Sequence, residues 1–113
     1  MGTSDVSMEL FGAVKNGDIG LIRQLLDAGA GVNTRDSEGA TLLMQAAHLG
    51  NVAMVNALIA AGAEVNASDE RGWTALMKSA YNAELNRGFA EVAQALVNAG
   101  ANIEAPIGYG IRT

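Results

Sequence analysis

Apolar residues recur along this chain in short clusters, and their spacing is that of helices rather than strands. One cluster follows the i, i+3, i+6/i+7 pattern that places side chains on one buried helix face. Its members are Val52, Val55, Leu58 and Ile59. A later cluster has the same form and includes alanines, which allow a neighbouring helix to come close. Its members are Val92, Ala93, Ala95, Leu96 and Val97. The pattern predicts short amphipathic helices and an all-α chain.

These clusters belong to an internal repeat. A segment that begins Gly-Ala starts at Gly29, Gly62 and Gly100. A Gly-x-Thr-x-Leu-Met segment occurs at 39–44 and 72–77, and its two copies are separated by the same interval as Gly29 and Gly62. Gly100 lies five positions beyond that interval, so the third copy carries five additional residues, 83–87. A fixed period shared by independent motifs indicates a solenoid, in which each helix pair buries its apolar face on its neighbours.

Each copy contains start and stop signals for two short helices. Thr41 and Thr74 follow the glycine of a turn, and a threonine hydroxyl can cap the free amides at a helix start. Gly50 and Gly88 are expected to end the first helix in the left-handed conformation that favours glycine. The apolar positions expected on the first helices are Leu43, Met44, Ala46 and Ala47 in one copy and Leu76, Met77 and Ala80 in the next.

Together these motifs resemble the ankyrin repeat. The family pattern, Gly-x-Thr-x-Leu-x-x-Ala-Ala followed by Gly-Ala-x-Val-Asn-x-x-Asp, matches nearly throughout 36–69, and the resemblance covers roughly residues 8–105. It implies an all-α solenoid of stacked helix-turn-helix units with connecting hairpin loops, in a single domain, 1–113. The expected repeats are 5–36, which is cap-like, 37–69 and 70–105, with 106–113 as the start of a further, truncated repeat.

The chain departs from the family at the start of the first helix. The family's Thr-Pro-Leu-His is here Thr41-Leu42-Leu43-Met44, and the next copy also has a methionine, Met77, at the fourth position. Loss of the proline removes a rigid first helical position. Loss of the histidine removes a hydrogen-bonding side chain, and we expect methionine to contribute apolar packing in its place.

Composition narrows the possible function classes. The formal charge is −5 and the basic residues are scattered, which argues against a nucleic-acid partner. There is no cysteine and His48 is the only histidine, so we expect no metal site, no cofactor and no enzyme. No apolar run reaches the ~18 residues expected of a membrane span, and no signal-peptide pattern opens the chain. A cytoplasmic protein without a membrane partner is therefore expected.

The resemblance also implies where a partner would bind. In ankyrin repeats, the hairpin tips and the exposed side of the first helices form a concave ledge that holds partner proteins. By register, the ledge positions of the second copy are Arg35, Ser37, Glu38, Ala40, His48 and Leu49. Those of the third copy are Ser68, Glu70, Arg71, Trp73, Tyr81 and Asn82, to which the insertion adds Glu84 and Arg87. We therefore expect a module that binds a protein whose identity the sequence does not specify.

Two of these features have alternative interpretations. The counterpart of Trp73 is the small Ala40, so stacking does not require a large ring at this position. Trp73 is therefore expected either to anchor a partner or to pack on its own neighbouring hairpin. The insertion is expected either to contribute to specificity or to be a neutral lengthening of a surface loop.

The third copy lacks the polar cap that a solenoid end requires. Side chains expected to lose part of their cover are Leu76, Leu85, Leu96 and Val97. One hypothesis is that the chain is part of a longer array with an assembly or spacer role, or that a second copy or another protein covers this end. The alternative is that residues 105–113 fold over the end as a cap.

Overall fold

A computed structural model of the protein describes residues 3–81 and 89–101, with side chains described for 6–80 and 90–101. The described helices are α1 (Thr3–Asn16), α2 (Ile19–Asp27), α3 (Leu42–Leu49), α4 (Val52–Ala60), α5 (Ala75–Tyr81) and α6 (Phe89–Asn98). In these two ranges, β structure is limited to the single-residue bridges Arg35–Thr41 and Ser68–Thr74. The prediction of an all-α repeat fold is confirmed.

The helices succeed one another in two rows. The inner row contains α1, α3 and α5, and the outer row contains α2, α4 and α6, with contacts between consecutive members of each row. Each inner helix also packs against the outer helix of its own repeat. The result is an elongated body of 49 × 25 × 23 Å, whose core lies between the rows.

Short polar side chains cap four of these helices. In each cap, a side-chain oxygen accepts a hydrogen bond from the backbone N–H three residues ahead, at 3.1–3.3 Å. The capping residues are Asp18, Thr41, Asn51 and Thr74. Gly50 follows α3 with a φ of 75°, the left-handed conformation expected of it. The roles of Thr41, Thr74 and Gly50 were predicted, because each acts within one turn of the local sequence. The caps by Asp18 and Asn51 were not predicted.

The methionines at the family's histidine position do more than pack. The Sδ atom of Met44 lies 3.4 Å from the backbone nitrogen of Thr41, which donates a hydrogen bond to it, and Met77 makes the same contact with Thr74. The prediction of apolar packing alone was therefore incomplete. In each repeat the sulfur closes a reciprocal cap, because the threonine hydroxyl accepts from the methionine N–H.

Neighbouring repeats are also joined by asparagine side chains in the loops that follow the outer helices. Asn33 accepts a hydrogen bond from the Glu64 N–H at 2.8 Å, and Asn66 donates one to the Gly100 carbonyl at 3.0 Å. Because each contact spans about one repeat, it holds the spacing between successive loops. The Val-Asn motif of the repeat thus has a direct structural role.

Burial is uneven between the second and third repeats. Leu43, Met44 and Ala47 are buried in α3. Their counterparts in α5 are more accessible, since Leu76 and Met77 are half-buried and Ala80 is exposed.

On α6, Val97 is 36% exposed as expected, but Leu96 is fully buried, so the prediction that Leu96 loses cover is wrong. Leu96 lies on the face of α6 that joins the core. The predictions for four further features lie outside the described residues. These are Leu85, Gly88, the insertion 83–87 and residues 105–113.

Candidate partner-binding surface

Two hairpin tips project beyond the inner helices, and the same aspartate turn builds both. We define the first tip as residues 35–41 and the second tip as residues 68–74. In the first, Asp36 Oδ1 accepts hydrogen bonds from the N–H groups of Glu38 and Ala40, at 2.8 and 3.0 Å. In the second, Asp69 Oδ1 accepts from Arg71 and Trp73, at 2.8 and 2.9 Å. The turns fix the backbone from which the ledge side chains extend.

The tips are hydrogen-bonded to each other. The Glu70 N–H donates to the Glu38 carbonyl at 3.2 Å, and the guanidinium of Arg35 donates to the carbonyls of Gly39 and Ser68, at 2.8 and 2.7 Å. Gly39 has a φ of +81°, and a Cβ there would lie 3.2 Å from the Glu70 nitrogen. The close approach therefore requires glycine. Arg35, predicted as a partner-binding residue, has a structural role here as a bridge between the tips.

A recess of about 310 Å³ opens where the second tip meets α3 and α5. We call it the Trp73 recess. Its lining residues are Glu38, His48, Asp69, Glu70, Arg71, Trp73 and Lys78. Five of these were predicted from the repeat register, and the structure brings them to one place.

Lys78 and Asp69 are the lining residues that sequence reasoning missed. Lys78 Nζ lies 3.1 Å from Asp69 Oδ2, and the Asp69 side chain is only 5% exposed. The same ammonium lies 5.9 Å from the centre of the Trp73 ring, within the range of a cation–π contact. Comparison of the copies contained a signal for this, because Lys78 occupies the repeat position at which the second copy has the uncharged Gln45.

The surroundings of Asp69 favour its charged form. Burial alone would raise the pKa of this carboxyl, because desolvation disfavours a charge. The Trp73 N–H, the Lys78 ammonium and the Arg71 N–H stabilise the carboxylate and together outweigh burial, so the pKa lies below its ordinary value of 3.8. Asp69 and Lys78 therefore form an ion pair at neutral pH.

Trp73 itself combines features of both predictions made for it. The residue is half-buried, its N–H is fixed by Asp69, and its ring lies beside Lys78. It thus packs on its own repeat, as one interpretation requires. It also lines the wall of an open recess, as the other requires. A ring held in this way presents a preformed surface.

A second recess lies on the other side of the first tip, between that tip, α1 and α3. We call it the Lys15 recess. It is lined by Ser7, Met8, Phe11, Gly12, Lys15, Arg35, Asp36, Ser37 and Gln45. Met8 is 71% exposed and Phe11 is half-buried, so apolar surface and two cations meet here. Of the predicted ledge residues, Ser37 and Arg35 are in this recess.

The remaining predicted positions are less closely grouped. Ser68 is exposed in the bridge to Thr74, and its carbonyl accepts from Arg35. Leu49 is 45% exposed at the end of α3 and lines neither recess. The side chain of Tyr81 and the residues Asn82, Glu84 and Arg87 lie outside the described part of the chain.

Within the described residues, no group of three or more acidic, histidine or cysteine side chains is placed to hold a metal ion. None of the described helices is long and apolar enough to cross a membrane.

Comparison with known protein families identifies the type of repeat. A family model of ankyrin repeats matches residues 10–107 in three copies. The chain belongs to the ankyrin-repeat family. No match was found among curated proteins. Ankyrin repeats are generally modules of protein interaction and are typically non-enzymatic. The two recesses of this ankyrin-repeat protein are its candidate contact sites.

Proposed function

We propose that this ankyrin-repeat protein binds another protein through its hairpin tips and inner helices, and that the Trp73 recess is the centre of the interface. The observation that carries the proposal is the placement of Trp73. It occupies a position where the preceding repeat has Ala40, and it lines a recess instead of filling the core. Interfaces commonly derive most of their binding energy from a few such aromatic anchors.

The recess is ordered before any partner arrives. The Asp69 turn fixes the Trp73 backbone, and the Lys78–Asp69 ion pair holds a cation beside the ring. Binding to a preformed surface avoids part of the entropy cost of ordering side chains on association. This supports the recess as an anchoring site.

The Lys15 recess extends the proposed interface along the same face. The two recesses flank the first tip, and both reach α3, one at Gln45 and the other at His48. A partner segment that crosses the first tip would contact both. The ledge residues outside the two recesses, Leu49 and Ser68 among them, would then contribute at the edge of the interface.

The test begins with a partner captured by the wild-type protein, identified and then purified. Trp73→Ala should weaken its affinity by at least about tenfold, the effect expected of an anchor residue. Arg23→Ala is the control, because Arg23 is exposed on the outer helix α2 and lines neither recess. Circular dichroism should show equal helix content in all three proteins. Equal affinity of Trp73→Ala and the wild type would refute the proposed site.

A second candidate function, assembly into a longer stack, is favoured by the uneven burial. In the third repeat, Leu76 and Met77 are half-buried and Ala80 is exposed, although their counterparts in α3 are buried. Such a face could receive a further helix pair, from another copy or another repeat protein. This candidate uses a different face from the Trp73 recess, so the two can be tested separately.

A further inference from the structure

We infer that the Trp73 recess receives a basic side chain, arginine or lysine, from an extended segment of the partner protein. This inference rests on the proposed function and specifies the chemistry of its central contact. It follows from the balance of charges in the recess, the position of the two tips and the contrast with the Lys15 recess.

Among the described lining residues, carboxylates outnumber the lysine and arginine side chains. Three carboxylates line the recess, against the cationic side chains of Arg71 and Lys78. Lys78 is paired with Asp69 at 3.1 Å, which leaves Glu38 and Glu70 against Arg71. The Lys78–Asp69 pair is the only ion pair among the described residues, so Arg71 forms no ion pair with Glu38 or Glu70. A cation brought by a partner would therefore find unpaired carboxylates.

The two glutamates are held near each other by the backbone. Glu70 donates its N–H to the Glu38 carbonyl at 3.2 Å, so their side chains start from hydrogen-bonded residues of adjacent tips. Both are exposed. Neighbouring like charges are destabilising, and a cation between them removes that repulsion and adds attraction to each. The tip geometry thus favours one ammonium or guanidinium group at this point.

Trp73 supplies the apolar part of the site. Lysine and arginine have long methylene stems that pack on apolar surface while the charged head remains near polar groups. In the recess, the Trp73 ring offers such a surface, and Glu38 and Glu70 line the same recess. Asp69 offsets the charge of Lys78, which would otherwise repel an incoming cation.

The Lys15 recess has the opposite character and would fix the direction of the segment. Two cations, Lys15 and the guanidinium of Arg35, line it against one carboxylate, Asp36, whose Oδ1 accepts the hydrogen bonds of the first tip. A basic side chain is therefore disfavoured there and favoured in the Trp73 recess. The formal charge of −5 on the whole chain also attracts basic partners over a longer range.

The experiment uses random heptapeptides displayed on phage, selected on the full chain, and a synthetic peptide made from the best binder. We expect the selected peptides to be enriched in arginine or lysine. The variant Glu38→Gln with Glu70→Gln should bind the synthetic peptide about tenfold more weakly at about 50 mM salt, with a smaller difference at high salt because charges are screened. Asp27→Asn with Glu91→Gln is the matched control, since both residues are exposed on outer helices.

The outcomes separate this inference from the proposed function. Selected peptides rich in acidic residues, or an unchanged affinity in the Glu38→Gln, Glu70→Gln variant, would overturn the inference. In either case, if the selected peptides bind the Trp73→Ala variant more weakly than the wild type, the proposed binding site is supported and only the inference of a basic side chain fails. Failure to select any binder that depends on Trp73 counts against both. The variant without ligand should melt no lower than the wild type, because the substitutions remove a repulsion and no hydrogen bond of either carboxylate.

Discussion

The Lys78–Asp69 ion pair links the second tip to α5 and makes the stability of that tip depend on pH. The folded protein lowers the pKa of Asp69 below its ordinary value. A carboxyl of this kind contributes stability above its unfolded pKa and loses it as the pH falls through the folded pKa. We therefore expect the free energy of unfolding to fall as the pH drops below about 5 and through the lowered pKa of Asp69, in part because Asp69 becomes protonated. Urea unfolding at several pH values measures this dependence.

Asp69→Asn should reduce that pH dependence and should be less stable than the wild type at pH 7. The loss comes from the ion pair, because asparagine keeps the turn geometry but not the charge that faces Lys78. Asp36→Asn is the matched control, since Asp36 builds the same turn where Gln45 stands in place of the lysine. If both variants showed the same pH profile, the ion pair would not be the cause.

These same residues show where sequence reasoning reached its limit. The position of Trp73 on the second tip could be placed by register, because the turn recurs at the same point of each repeat. The importance of Lys78 could not, since it depends on a contact across a turn that only the folded chain creates. Arg35 shows the reverse case. Its position on the ledge was predicted, but its hydrogen bonds to the neighbouring tip were not.

Helix ends were predicted more reliably than helix packing. Thr41 and Gly50 act within a single turn, so their roles follow from the local sequence. The full burial of Leu96 depends on how α6 meets the rest of the core, and the expectation that an uncapped third repeat would expose it was wrong. The hydrogen bonds to the sulfur atoms of Met44 and Met77 were also not predicted, because a thioether sulfur is only a weak acceptor.

The reciprocal cap at the start of α3 predicts a specific cost for a conservative change. Met44→Leu keeps the volume but removes the sulfur, which leaves the buried N–H of Thr41 without this acceptor. An unsatisfied buried donor costs about 1–3 kcal/mol, so we expect a loss of about 1 kcal/mol after allowing for the weak sulfur acceptor. Met77→Leu should cost less, since the same contact in α5 is only partly buried.

Met54→Leu provides the control for this series. Met54 is also fully buried, but it lies on α4 and no helix cap uses its sulfur. Thermal or urea unfolding of the three single variants ranks them directly. A cost for Met54→Leu as large as that for Met44→Leu would show that packing, and not the hydrogen bond to sulfur, explains the effect.

A solenoid of this kind propagates by stacking one helix pair on the next, so apolar side chains that stay accessible on one repeat affect how whole molecules associate. In the third repeat this surface includes Ala80 and Val97. The assembly candidate predicts that the mean molecular mass from light scattering rises with protein concentration. Ala80→Glu would place an unpaired charge in the contact and should weaken self-association by more than about tenfold. Gln24→Glu, on the exposed side of α2, adds the same charge away from that surface and should change little.

Trp73→Ala makes the two proposed functions separable in the same measurement. It should leave any concentration-dependent increase in mass unchanged, because Trp73 lies at the second tip and not on the stacking surface. Conversely, Ala80→Glu should leave the affinity for a Trp73-dependent peptide unchanged. A constant monomer mass in the wild type would remove the assembly candidate. An increase that Trp73→Ala abolished would instead show that copies of the chain bind each other through the recess, and the partner sought there would then be the protein itself.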